Sequence, residues 1–136
     1  KKNIQRIVKN FKLLTKNLIK FDEFFALPFQ EKNVETCWLA YPLVIKKNKY
    51  FNRDELQKYL EINNIQTRVI FSGNILKQPL MKKKKYFKLK NCDVESNHIM
   101  KSGILIGCHH GMNEKEINIL LNTIGKFVST KFKKIN

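Results

Sequence analysis

Arginine is scarce in this chain: only Arg6, Arg53 and Arg68 carry a guanidinium, although 27 Lys and Arg against 11 Asp and Glu give a formal charge of +16. Base-edge readout and bidentate phosphate gripping favour the planar fork of arginine, so a lysine excess without it argues against sequence-specific nucleic-acid binding. The lysines are spread over every segment, and with abundant Asn and Ile they match what an AT-rich coding sequence produces. A solvated surface is the expectation, and nucleic acid is not expected as a partner. Cysteine is also sparse. Cys37, Cys92 and Cys108 are odd in number, far apart and without a Cys-x-x-Cys pair, which excludes a zinc set and leaves reduced thiols in a cytoplasmic protein. No apolar run approaches the roughly 20 residues that cross a bilayer, so no membrane role is expected. There is no Gly-x-Gly-x-x-Gly, no P-loop, no Gly-x-Ser-x-Gly elbow and no readable pair of carboxylates, hence no catalytic residue to assign and no metal site. No internal repeat is evident. At 136 residues the length suits one domain. The chain does not begin with Met, and no signal peptide precedes its first helical pattern, so a piece of a longer protein is expected.

What is present is a succession of short, well-punctuated elements. Ile4, Ile7, Val8, Phe11, Leu14, Leu18 and Phe21 recur at three- and four-residue spacing, with Lys9, Lys12, Lys16 and Lys20 off the stripe, which predicts an amphipathic helix ended before Pro28. Pro28–Glu35 reads as a polar connection. Cys37–Ile45 is apolar nearly throughout and predicts a strand covered on both faces, with Pro42 demoting it to an edge or a bulge. Cys37 and Cys108 each lie in or beside an apolar run, where a free cysteine behaves as a small hydrophobe.

Asn52 and Glu55 form a capping-box pair that opens a helix carrying Leu56, Tyr59 and Leu60, and Asn63-Asn64 closes it. The stretch around which the chain is organised then follows. Thr67, Val69, Ile70 and Phe71 form a β-rich run that breaks at Ser72-Gly73-Asn74, residues that tolerate unusual backbone angles. Arg68 sits inside that run and must face water, an acid or a phosphate; on these residues alone the simpler reading is a solvated arginine ahead of an ordinary turn. Lys82–Lys85 with Tyr86 and Phe87 is a basic run with aromatics, either an RNA-stacking surface or an exposed loop, the latter favoured because like charges in a row stay solvated. Val94–Lys101 predicts a short helix, Ile104–Cys108 a buried strand, and Asn113 with Glu116 a second capping pair before the apolar stripe of Ile117, Leu120, Leu121, Ile124, Phe127 and Val128. His109-His110-Gly111 falls on the strand-to-helix connection, where imidazole can bond phosphate or sugar hydroxyls. The loops Phe71–Asn74 and His109–Gly111 are the expected ligand edge of a small α/β domain.

Several stretches together carry a resemblance. They are Asn10-Phe11, Cys37-Trp38 with Tyr41-Pro42-Leu43, Thr67-Arg68 with Phe71-Ser72-Gly73-Asn74-Ile75 and Gln78-Pro79, Asn97-His98-Ile99-Met100, and Ile106–Met112. In this order the chain resembles the C-terminal domain of DegT-type, pyridoxal-phosphate-dependent nucleotide-sugar aminotransferases, nearest the CDP-4-keto-6-deoxyglucose 3-dehydrase branch of lipopolysaccharide biosynthesis. The Gly-Asn-x-x-x-Gln-Pro element is its most specific part.

The resemblance implies the small α/β (α+β) domain of the aspartate-aminotransferase-like, fold type I transferases, a mainly antiparallel sheet packed by helices. Residues 1–28 would be the end of a connecting helix and its linker, 29–136 the substrate-closing domain, and the large cofactor domain would lie outside this chain. Pyridoxal 5'-phosphate or pyridoxamine phosphate is implied for the intact enzyme, with none expected on this piece alone. Its partners would be a nucleotide-sugar substrate, its own N-terminal large domain and, when intact, a second copy. Arg68, Phe71, Ser72, Gly73 and Asn74 would face cofactor or sugar nucleotide, Gln78 would support the turn, and His109 or His110 would contribute from the second loop. Two other readings stand beside it: a basic nucleic-acid module using Lys82–Phe87, and a dimerisation domain that joins through its apolar helix faces.

Overall fold

The computed structural model of the chain describes residues 1–34, 36–84 and 93–133. Four helices pack on a four-stranded sheet. In chain order the elements are α1 (Lys2–Leu18), β1 (Phe25–Ala26), β2 (Ala40–Ile45), α2 (Arg53–Ile62), β3 (Arg68–Val69), α3 (Val94–Ser102), β4 (Gly103–Gly107) and α4 (Glu114–Lys133). The strands lie in the order β1-β2-β4-β3, every pair antiparallel.

One face of the sheet makes the core. Burial alternates along β2, so that Tyr41, Leu43 and Ile45 point one way, and the register sets Tyr41 opposite Ile106 and Leu43 opposite Ile104 on the same side. Against that face lie Phe11, Leu14 and Leu18 of α1, Leu56 and Leu60 of α2, and Ile117, Leu120, Ile124 and Phe127 of α4. The strand is thus half-buried by alternation rather than covered on both faces, and it starts at Ala40, not at Cys37. Cys37 is exposed, so its place beside an apolar run did not bury it, whereas Cys108 is fully buried; Cys92 lies outside the described residues.

Pro42 stands in a strand with neighbours on both sides, which its missing N–H would oppose. The register removes the conflict: β1 reaches only Val44 and Ile45, so at Pro42 the sole neighbour is β4. Locally the proline sits at an edge. β1 itself is the two-residue remnant of Phe24–Leu27, a stretch whose aromatics pack on the rings of Tyr50 and Phe51.

Both capping pairs form as the sequence demands. Asn52 accepts from the Glu55 N–H at 3.0 Å while the Glu55 carboxylate accepts from the Asn52 N–H at 3.0 Å. Asn113 and Glu116 repeat the exchange at 3.1 and 2.7 Å ahead of α4. Asn64 takes the left-handed conformation after α2, with φ of 60°. The run expected to form the organising strand over Thr67–Phe71 contributes only Arg68 and Val69, both exposed, at the outer edge of the sheet. The reason is the next turn: Ser72 and Gly73 both have positive φ, 59° and 55°, which pulls the chain off β4 two residues after pairing begins.

Candidate functional site

A groove of about 510 Å³ opens between the Asn63–Thr67 connection, the edge of β3, the end of β4 and the first half of α4. Its floor is apolar: Ile106 and Leu120 are buried, and Ile65, Leu105, Met112 and Ile119 flank them. Arg68 and His109 both line it, as does Glu116. Arg68 has no hydrogen bond or ion pair among the described residues, so its five donors are free for a ligand. Glu116 is held back by the N–H of Asn113.

The His109 loop is fixed from a distance. Asn10, a polar residue buried in the apolar stripe of α1, donates its amide to the carbonyls of His109 at 3.0 Å and of Met112 at 3.1 Å. The Met112 N–H returns to the His109 carbonyl at 3.1 Å and closes a tight turn. Gly111 leaves room for the imidazole: a Cβ there would stand 3.0 Å from His109 Nδ1. His110 is exposed, its ring 6.5 Å from that of His109 and nearly perpendicular to it, and it does not line the groove. Cys108, one residue before, lies under the loop against the Ile7 carbonyl, and burial pushes its thiol up to about 11, so it is protonated and inert at neutral pH.

The second expected loop is a separate construction beside α3. Phe71 is almost fully exposed. Gly73 lies so close to Met100 that a Cβ would meet its Cγ at 2.3 Å, and its φ of 55° suits glycine independently. Asn74 is buried rather than offered to solvent. Its amide donates to Asn97 Oδ1 at 2.9 Å and Asp93 Oδ2 at 3.2 Å, while its oxygen accepts from the Leu76 N–H at 2.9 Å and caps a short 3₁₀ turn. Gln78 donates to the Ser72 carbonyl at 2.8 Å and ties the two ends of the turn. Of the eight expected site residues, then, the groove holds Arg68 and His109; Phe71, Ser72, Gly73, Asn74 and Gln78 form the neighbouring turn, and His110 stands outside both.

Sequence reasoning passed over Asn10 as a site residue, along with Glu116, Asn63 and Met112. The signal for Asn10 was a polar side chain three residues from Ile7 and four from Leu14, on the buried side of a helix. Of the Lys82–Phe87 run, Lys85, Tyr86 and Phe87 lie outside the described residues. Among the described residues no group of three or more His, Cys, Asp or Glu could hold a metal, and no helix is long and apolar enough to cross a membrane.

Chemically the groove combines one free guanidinium, one imidazole, one carboxylate and an apolar floor. That set can bind an anionic group beside a ring, but it contains no nucleophile with an activating base. No lysine lines it, so an aldehyde cofactor would find no amine here to form an imine. The described residues of the groove therefore do not supply the anchor of such a cofactor.

Architecture defines the class first: a small antiparallel sheet packed by helices, as found in part of the pyridoxal-phosphate-dependent, aspartate-aminotransferase-like transferases. A GDP-4-keto-6-deoxymannose-3-dehydratase solved with a trapped PLP–glutamate geminal diamine superposes with a TM-score of 0.77 at 25% identity, over 90% of this chain and 31% of that one. The DegT/DnrJ/EryC1/StrS aminotransferase family model matches residues 1–124, and the chain belongs to that family. The lipopolysaccharide biosynthesis protein RfbH of Salmonella typhimurium (strain LT2) is 29% identical over 126 residues, covering 90% of this chain and 28% of RfbH. The GDP-4-keto-6-deoxy-D-mannose 3-dehydratase of Yersinia pseudotuberculosis is 25% identical over 127 residues, covering 90% and 32%. The chain spans less than a third of the length of these curated relatives.

Proposed function

We propose that this chain is the C-terminal, substrate-closing domain of a pyridoxal- or pyridoxamine-phosphate-dependent enzyme that acts on a nucleotide-linked keto-deoxysugar, by aminotransfer or 3-dehydration, in lipopolysaccharide or other deoxysugar biosynthesis. The observation that carries the reading is the groove shared by Arg68 and His109 within a chain of this family. The cofactor supplies an electron sink for the bond-breaking step, and it belongs to a large domain outside this chain.

In this reading Arg68 holds an anionic group of the substrate, and its edge position on β3 leaves the guanidinium free to do so. His109 donates to or accepts from a sugar hydroxyl or phosphate, held in place by Asn10. The turn of Phe71, Ser72 and Gly73, braced by Asn74 and Gln78, forms the neighbouring wall, and the exposed His110 follows His109 at the surface of the second loop. The domain orients substrate and excludes water; it carries out no step of bond-making itself. The intact enzyme acts in the cytoplasm as a homodimer.

The intact protein containing this domain should show a cofactor absorption band, and Arg68→Ala and His109→Ala should each keep the band while lowering kcat/KM for the nucleotide sugar by about tenfold or more. An intact protein with no cofactor band would overturn the assignment of chemistry. Variants with unchanged kcat/KM would overturn the role of the groove.

A further inference from the structure

A second groove lies away from the first, between α1 and α4. The two helices run side by side in the same direction: Lys9 in the middle of α1 pairs with Glu114 at the start of α4 at 3.4 Å, while Lys20, just after α1, shares a groove with Lys126 and Lys133 toward the end of α4. The groove there has a volume of about 470 Å³. Asn122, Lys126, Ser129 and Lys133 recur at four-, three- and four-residue spacing, so they form one line along α4. Lys20 closes the groove from the opposite wall, over a floor of Leu121 and Gly125.

Two of the neighbouring lysines are already committed, Lys9 to Glu114 and Lys131 to Glu55. Lys20, Lys126 and Lys133 have no ion pair among the described residues, and no described carboxylate lines the groove. Lys20, whose Nζ lies 5.2 Å from the centroid of the Phe21 ring, Lys126 and Lys133 give the groove a positive potential with no described carboxylate to offset it, which favours an anion there. Lys126 and Lys133 are two helical turns apart, about 10 Å along the axis. That spacing admits a chain of phosphates rather than one. Ser129 and Asn122 add neutral donors of the kind that bond phosphate oxygens. No aromatic side chain and no arginine lines the groove, so it has nothing with which to stack a base or read its edge.

We infer that the groove of Lys20, Lys126 and Lys133 binds a compact polyphosphate group carrying three or more negative charges, through its phosphates alone. This site owes nothing to the reading of the Arg68–His109 groove and stands if that reading falls. The source of the group is either a free oligophosphate or the tail of a nucleotide, and the chemistry of recognition is the same.

The test is calorimetric titration of the 136-residue chain with tripolyphosphate, ATP and adenosine at low salt. Tripolyphosphate and ATP should both bind at the Lys126–Lys133 groove with affinities within about threefold of each other, in a background of Arg68→Ala that removes the guanidinium of the other groove, and adenosine should not bind there. K126E/K133E should weaken both phosphate ligands by about tenfold or more. K46E/K47E, which makes the same charge change at two exposed lysines after β2, should leave them within about threefold. Equal weakening by both double variants would overturn the inference, because net charge alone would then attract the ligand. Binding of adenosine, or of ATP unaffected by K126E/K133E, would overturn it as well. Should the glutamate variant unfold by circular dichroism, K126Q/K133Q decides by the same comparison.

Discussion

The two loops nearest the candidate site are each held by one buried asparagine, but by opposite strategies. Asn74 belongs to its own loop and clamps it locally, capping a short turn and reaching the start of α3. Asn10 sits 99 residues before the loop it holds, and binds two carbonyls from another element. The Ser72 turn is therefore specified by its own cap and by the start of α3, 19 to 23 residues on, while the His109 loop is specified only once the far more distant α1 has docked. The first loop should survive loosening of the helical layer, and the second should not.

Asn74→Ala tests the local clamp and should have the largest effect. It removes a charge-assisted bond to Asp93, a bond to Asn97 and the cap on Leu76, which together should cost about 2–3 kcal/mol in denaturant unfolding. Asn10→Ala strands two carbonyls and should cost less, about 1–2 kcal/mol. The contrast lies in where the damage appears. Amide exchange should accelerate around residues 109–112 in Asn10→Ala and around 72–78 in Asn74→Ala; exchange that rises equally in both loops would dissolve the distinction. Gly73→Ala should follow at about 1–2 kcal/mol, since it adds a positive-φ penalty to a clash that the flexible Met100 side chain can partly relieve.

Acid should have the smallest effect and should act on one side only. Glu55 accepts from Lys131 and so joins α2 to the end of α4, and this contact, with the Asn52 N–H, holds its carboxyl below the usual 4.5. A lowered carboxylate pKa contributes stability that is present above 4.5 and is lost as pH falls through the folded value. The pair is partly exposed and screened by solvent, so the loss should be a few tenths of a kcal/mol. It should shrink in Lys131→Gln, leaving only the smaller part owed to the Asn52 N–H, when unfolding is followed from pH 6 to pH 3. An acid response of the same size in Lys131→Gln would place its origin elsewhere.

Helices were the most legible part of the sequence. Reciprocal Asn–Glu caps fix the starts of α2 and α4 through contacts three residues apart, and the stripe of α1 is a plain amphipathic period. Strands were less legible because pairing depends on partners remote in sequence. β1 has too few residues to leave a period, and β3 carries a β-rich run that two positive-φ residues cut short. Pro42 was legible as an obstacle but not as a harmless one, because the short reach of β1 is not written near it. At the site, Arg68 and His109 could be singled out by residue type and place. That they face one groove, and that Asn10 holds one of them, follows only from tertiary contacts.

The chain has one tryptophan, Trp38, just before β2, and it packs against α1. Trp38 stacks flat on Phe11, rings 4.9 Å apart and 10° from parallel, with its indole N–H bonded to the Gln30 side chain at 3.1 Å. Its emission is thus a built-in gauge of whether the opening helix is seated. A fluorimeter can watch that seat without any label, and through Asn10 it indirectly reports on the loop that carries His109.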